Sequence, residues 1–222
     1  MPVSGYSQSR RFVLKGALGS AIAGMMPLAP ACATEPAKHW VMIIDLNRCL
    51  GCQSCTMACR AESGAYSGVF NTRVLVDDSS ASGKIAFLPA QCNHCDDPAC
   101  AGACASGAIQ KLSNGIVVTD RDSCMGDGAC VAACPYAARA LDKGRRNKAD
   151  SCDFCVDRLV EGRVPACVEA CSSGARVFGD AGALSGELAA YLAGASGKAQ
   201  TREGLPAGRV FYVPLRKGGI DG

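Results

Sequence analysis

Cys49-Leu-Gly-Cys52-Gln-Ser-Cys55-Thr-Met-Ala-Cys59 places three cysteines at intervals of three residues and a fourth four residues further on. The cadence returns as Cys92-x2-Cys95-x4-Cys100-x3-Cys104, and again as Cys124-x2-Asp127-x2-Cys130-x3-Cys134, where an aspartate stands at one cysteine position. A fourth set is looser, Cys152-x2-Cys155 followed by Cys167-x3-Cys171. In such a run the first three thiolates hold one iron–sulfur cube and the fourth reaches across to a neighbour. Four sets therefore predict four clusters in two reciprocal pairs. Clusters of this kind change oxidation state with little rearrangement of their ligands, so several in one chain point to a path for electrons.

Two other chemistries use cysteine at this density. Disulfides form in exported proteins, but the repeats crowd thiols too closely for so many independent bridges. Removing Cys32 with a leader also leaves an odd number. Zinc sites take four ligands from two Cys-x2-Cys pairs, which leaves the third and fourth cysteines of the first set unexplained.

The rest of the composition agrees. Of 222 residues 16 are Cys and 26 are Gly, while aromatic residues make up only 5%. Little bulk remains for an apolar core, and metal ligation becomes folding free energy in such chains. Lys and Arg number 23 against 20 Asp and Glu, and Arg10, Arg11 and Lys15 at the start of the chain account for the whole excess. That balance gives no basic face for nucleic acid. One local run, Lys143, Arg145, Arg146 and Lys148, reads as a solvated loop, or as a docking or cluster-tuning patch because it precedes the fourth set.

Residues 1–33 read as a leader. Ser9-Arg10-Arg11-Phe12-Val13-Leu14-Lys15, an apolar stretch, and Ala31-Cys32-Ala33 form a twin-arginine signal with a small-residue cleavage site. Pro27 and Pro30 keep the apolar stretch below the ~20 residues of a membrane-spanning helix. Export of an already folded chain suits a cofactor inserted in the cytoplasm, so a periplasmic location is expected. Leu28-Ala29-Pro30-Ala31 makes a poor lipobox before Cys32, and cleavage after Ala33 discards that cysteine. Four cubes of four ligands are then one thiolate short, at Asp127.

Short strands are expected at Val41–Leu46, Ile85–Leu88, Ile116–Thr119 and Val210–Val213, with helices at Cys55–Ala61 and Leu184–Leu192. Asn114-Gly115 signals a hairpin turn. Strand, cysteine loop and helix recur as internal repeats of a ferredoxin-type module, an α+β architecture.

These motifs carry a family resemblance. Cys49-Leu-Gly-Cys52-Gln-Ser-Cys55, Gln91-Cys-Asn-His-Cys95, Ala133-Cys-Pro-Tyr136, Ser151-Cys-Asp-Phe-Cys155 and Pro165-Ala-Cys-Val-Glu-Ala-Cys171 resemble the four-cluster iron–sulfur subunits of the dimethyl sulfoxide reductase superfamily. The likeness is greatest to the exported, anchorless kind found with periplasmic nitrite reduction and polysulfide reductase. The resemblance implies two bacterial-ferredoxin-like modules, the second inserted into the first. The first would span 40–84 and 140–180, the insert 85–139, and a helix and strand extension 181–222. It implies one cluster on Cys49, Cys52, Cys55 and Cys171, and a second on Cys59, Cys152, Cys155 and Cys167. A third falls on Cys92, Cys95, Cys100 and Cys134, and a fourth on Cys104, Cys124 and Cys130, where the family places another cysteine at position 127. Three 4Fe-4S clusters are thus expected, plus either a 4Fe-4S cluster with an Asp127 ligand or a 3Fe-4S cluster. Carboxylate is a harder donor than thiolate and holds that corner iron less well.

Smaller departures are Ala105 and Ser172, where the family has proline after the last cysteine of a set; Pro135 keeps it. Loss of proline is expected to loosen those turns. His94 is expected to hydrogen-bond to protein or partner rather than to ligate, and Asp96-Asp97-Pro98 to form a turn. No nucleophile–base constellation stands out, so a non-catalytic subunit is expected. The resemblance implies a relay between a molybdopterin-dependent catalytic subunit and a polysulfide-reductase-type membrane subunit that reacts with quinone. Two alternatives are a relay serving a multihaem cytochrome and an iron–sulfur redox sensor.

Overall fold

The computed structural model describes residues 38–66, 68–77, 85–183, 185–194, 199–202 and 204–215. The expected leader, with Arg10, Arg11 and Cys32, lies outside them, as does Leu184.

Strand β1, Trp40–Asp45, organises the chain. It pairs antiparallel with β8, Arg176–Asp180, on one side and parallel with β9, Val210–Val213, on the other. A central strand covered on both faces reads as an unbroken apolar run, as Val41-Met-Ile-Ile44 does. Met42 and Ile44 face a core shared with Cys55, Cys92, Cys152 and Cys167. Val41 and Ile43 face helix α6, Gly186–Leu192, through Leu188 and Tyr191.

Three hairpins complete the strands. β2, Thr72–Asp77, pairs with β3, Ala86–Gln91; β4, Ile109–Lys111, pairs with β5, Val117–Thr119; and β6, Arg139–Asp142, pairs with β7, Lys148–Ser151. The β4–β5 turn forms at Asn114-Gly115 as the sequence suggests: Asn114 Oδ1 accepts from the Ile116 amide at 3.1 Å, and Gly115 takes the positive φ of 86° that the turn needs. The helices sit on cysteine sets: α1 (Ser54–Ser63) on the first, α2 (Ala99–Gly102) on the second, α3 (Ala129–Ala132) on the third, α4 (Val156–Val160) and α5 (Ala166–Glu169) on the fourth. α1 packs against α5, and α2 against α3. Among the described residues no helix is long and apolar enough to cross a membrane.

Strand pairings cross the module boundaries expected from the sequence. β3 falls within the expected insert but pairs with β2 of the first module. The β6–β7 hairpin straddles the boundary at 139/140, and its Leu141 and Ala149 pack with Ala108, Ile109 and Val117. The C-terminal stretch holds α6 and β9, and β9 completes the main sheet and buries Val210 and Tyr212 beside the cysteines. The basic run is not simply solvated either. A 3-10 turn, Lys143–Arg145, closes the β6–β7 hairpin; Arg145 pairs with buried Asp150 at 2.8 Å and donates to the Ser63 carbonyl at the end of α1. Lys148 donates to the Cys124 carbonyl.

Because Ile43 is fully buried between β1 and α6, Ile43→Ala is expected to cost about 2–5 kcal/mol. Thermal unfolding followed by circular dichroism should show a lowered midpoint, with Ile43→Val much nearer wild type.

Candidate cluster sites

Each cysteine loop bends the same way. The residue just before the second position of the first Cys-x2 pair in each set has positive φ: Gly51 at 69°, His94 at 47°, Gly126 at 75° and Phe154 at 56°. Left-handed backbone there turns the chain inward over its own cysteines, which glycine does without steric cost. A side chain would also collide at the two glycines. A Cβ on Gly51 would lie 2.4 Å from the Phe87 ring, and one on Gly126 would lie 2.6 Å from the Asn147 carbonyl oxygen. A second repeat follows the second, third and fourth sets, where the Gly107, Ala137 and Gly174 amides donate back to the Cys104, Cys134 and Cys171 carbonyls at 3.0, 3.1 and 3.0 Å. The turn closes alike after Ala105, Pro135 and Ser172, so the missing prolines have not opened it.

The cysteines come together in groups drawn from distant sequence. Cys49, Cys52, Cys55 and Cys171 line one cavity. Cys59, Cys152, Cys155 and Cys167 line another, of about 110 Å³, several times the ~10–15 Å³ that one water needs. Cys92, Cys95, Cys100 and Cys134 are electrostatic neighbours, as are Cys104, Cys124 and Cys130. The same proximity runs between groups, from Cys55 to Cys167, from Cys152 to Cys92 and from Cys100 to Cys130. Among the described residues no three Cys, His, Asp or Glu groups stand together as ligands of a single metal ion.

Burial pushes the thiols of Cys59 and Cys92 up to about 12 and that of Cys155 up to about 11, with neighbouring thiols adding to the shift at each. As bare thiols they stay protonated at neutral pH, whereas a bound cation deprotonates a coordinating thiol outright. Cys52 and Cys104 differ. Hydrogen bonds to Ser54 and Ser106 lower them, and Cys52 is exposed. Asp127 is exposed, and its Oδ1 accepts from the Ala129 amide at 3.1 Å, an Asx turn just ahead of α3.

His94 is fully buried and hydrogen-bonded to protein, as the sequence suggests. Its Nδ1 accepts from the Val117 amide at 2.9 Å, and its ring packs on Phe154, centroids 3.8 Å apart. Nδ1 as acceptor puts the proton of the neutral ring on Nε2. Burial first, then the charges of Arg139 and Lys111, push its pKa down to about 3. Among the described residues Nε2 has no partner, and neither do Nε and Nη2 of buried Arg139. Buried donors without acceptors are rare in native structures. These three lie in the cysteine-lined part of the core, where sulfide-rich, anionic cofactors would supply acceptors, so the residues present fit iron–sulfur clusters.

Sequence reading passed over Arg139 and Arg176. Both open a strand five residues after the last cysteine of a set, and the repeated spacing Cys-x4-Arg was the available signal.

The fold and its sulfur-lined cavities define an iron–sulfur protein of the ferredoxin type. A 4Fe-4S dicluster domain matches residues 83–181, and a 4Fe-4S binding domain matches residues 40–61. The chain is 41% identical to a tetrathionate reductase subunit of Salmonella typhimurium over 186 residues, covering 78% of this chain and 74% of the relative. It is 35% identical to a polysulfide reductase chain of Wolinella succinogenes, covering 83% of this chain and 99% of the relative. Against a chain of the anaerobic dimethyl sulfoxide reductase of Escherichia coli the identity is 39%, over 66% and 78% of the two chains. The chain belongs to the iron–sulfur subunits of the dimethyl sulfoxide reductase superfamily.

Replacing His94 with Ala would leave the Val117 amide without an acceptor in the core. Such an orphaned group costs about 1–3 kcal/mol, before any cost of the cavity left behind. Chemical denaturation should show His94→Ala less stable than wild type by at least that margin.

Proposed function

We propose that this chain is a non-catalytic electron-transfer subunit. It relays electrons through four iron–sulfur clusters between a molybdopterin-dependent catalytic subunit and a quinone-reactive membrane subunit. It works in the periplasm, peripheral to the cytoplasmic membrane, after export by the twin-arginine route.

The observation that carries this reading is the serial arrangement of four cysteine groups, each a neighbour of the next through Cys55–Cys167, Cys152–Cys92 and Cys100–Cys130. Iron–sulfur clusters, when bound, supply one-electron carriers whose potentials depend on charge, hydrogen bonds and exposure. The chain's part is to hold them in order, exclude water from the middle of the series and leave its ends reachable. Cys49, Cys52, Cys55 and Cys171 hold the first; Cys59, Cys152, Cys155 and Cys167 the second; Cys92, Cys95, Cys100 and Cys134 the third; Cys104, Cys124 and Cys130 the fourth. Packing of α1 on α5 and of α2 on α3 supports two reciprocal pairs in nested modules, the insert extending through β7. Near the first and fourth groups, Leu50 and Met125 are exposed apolar residues that neighbouring subunits could cover.

The relatives are chains of tetrathionate, polysulfide and dimethyl sulfoxide reductases, which supports a catalytic partner of the molybdopterin class. Anaerobic purification from native membranes, with metal and haem analysis, tests this. Molybdenum or tungsten copurifying with the chain is the expected result; abundant haem with neither metal would sink this reading in favour of a cytochrome-linked complex.

Asp127 is the oxygen donor, or the gap, of the fourth site. Mild oxidation of the holoprotein is expected to give the electron paramagnetic resonance signal of a 3Fe-4S cluster from that site alone. Asp127→Cys should suppress it by completing the thiolate set.

A further inference from the structure

Arg139 and Arg176 occupy one position in two repeats. The spacings are Cys134-x4-Arg139 and Cys171-x4-Arg176, and each arginine begins a strand, β6 or β8. Both are buried, at 5% and 3% exposure. Among the described residues neither makes an ion pair with a carboxylate, although Arg121, Arg145 and Arg158 all do.

What they face instead is sulfur from two groups at once. Arg176 Nη1 lies 3.8 Å from Cys167 Sγ in the second group, and Cys55 of the first group is an immediate electrostatic neighbour. Its other hydrogen-bond partners are neutral: Nη1 also reaches Gln91 Oε1 and Met42 Sδ, the latter at 3.4 Å, and Nη2 donates to Thr72 Oγ1 at 2.8 Å. Arg139 repeats the plan. Its Nη1 donates to Thr119 Oγ1 at 3.0 Å, while Nε and Nη2 have no acceptor among the described residues. Its cysteine neighbours are Cys100 and Cys92 of the third group and Cys130 of the fourth.

An isolated cation in a core is costly unless a counter-charge meets it. Two such cations at equivalent positions, each between two thiol groups, point to anions that the thiols themselves carry when ligating. We propose that Arg139 and Arg176 are the internal counter-charges of the two cluster pairs, each shared by the two sites that flank it, and that they raise the reduction potentials of those clusters. The inference rests on the four-cluster reading above. Reduction adds an electron to an already anionic site, so a fixed cation stabilises the reduced form more than the oxidised one, and N–H donors to sulfur act in the same direction.

The test is a potentiometric titration of the complete holoprotein complex, followed by electron paramagnetic resonance, with iron and sulfide counted per chain. With full iron, Arg176→Gln is expected to lower the potentials of the first and second clusters. The expected size is about tenfold in the reduction equilibrium, or about 59 mV for a one-electron couple. Arg139→Gln should move the third and fourth instead, and Arg176→Lys should hold wild-type potentials. Full iron with unmoved potentials in both Gln variants, or equal shifts in Arg176→Gln and Arg176→Lys, overturns the proposal. If Arg176→Gln loses iron, Arg176→Lys decides. Retained iron with near wild-type potentials supports a requirement for charge, whereas iron loss in both assigns the arginine to packing and overturns it. Wild-type protein without four clusters would instead remove the reading beneath the proposal, and so the two failures are distinguishable.

Discussion

Sulfur takes the place of hydrocarbon at the centre of this protein, and the cost of ionising a buried thiol constrains everything around it. Cys92, Cys152 and Cys167 pack with Met42, Ile44, Phe154 and Val210 as apolar core residues. In that setting a lone thiolate is unstable, which is why burial drives these thiols upward. A cofactor that brings positive iron reverses the preference, so cluster binding and burial of this core are coupled. With aromatic residues at only 5% of the chain, little else is available to hold the loops together.

The loops that deliver those thiols repeat one backbone turn with different residues at its strained position. Gly51 and Gly126 take the left-handed conformation because a side chain there would strike Phe87 or the Asn147 carbonyl. His94 and Phe154 take it despite a cost of order 1–3 kcal/mol each. Their rings meet face to tilted face, and Phe154 continues edge-on to Phe178, which stacks on Trp40. The strain is offset by an aromatic seam joining the second and fourth cysteine loops to the main sheet.

Charge is handled in two ways. Acidic Asp142 and Asp150 are buried but fully partnered, by the Tyr66 and Gly144 amides and by Arg121 and Arg145, and they fix the β6–β7 hairpin. Among the described residues Arg139 and Arg176 have no carboxylate partner, and they are buried beside cysteine. The contrast separates charges that hold the fold from charges that we assign to the cofactors.

Cysteine spacing made the candidate ligands legible from the amino-acid order alone, because Cys-x2-Cys and Cys-x3-Cys intervals are set by local turn and helix geometry, whereas their grouping came from the family resemblance. Val41–Leu46, Ile116–Thr119 and Val210–Val213 were legible as strands for the same reason, apolar runs bounded by turn residues, and each appears within one residue of its expected limits. Partnership was not legible. That β9 joins β1 in parallel, that β3 pairs with β2 across a supposed module boundary, and that the basic run docks on Asp150 and the end of α1 all depend on contacts between distant residues, which no local pattern records. The sequence by itself determined which residues could hold clusters, since ligand chemistry and spacing are local. Only the tertiary structure decided that one buried arginine lies between the groups of each pair, because an isolated arginine is ordinary until burial removes its water and leaves sulfur as its neighbour.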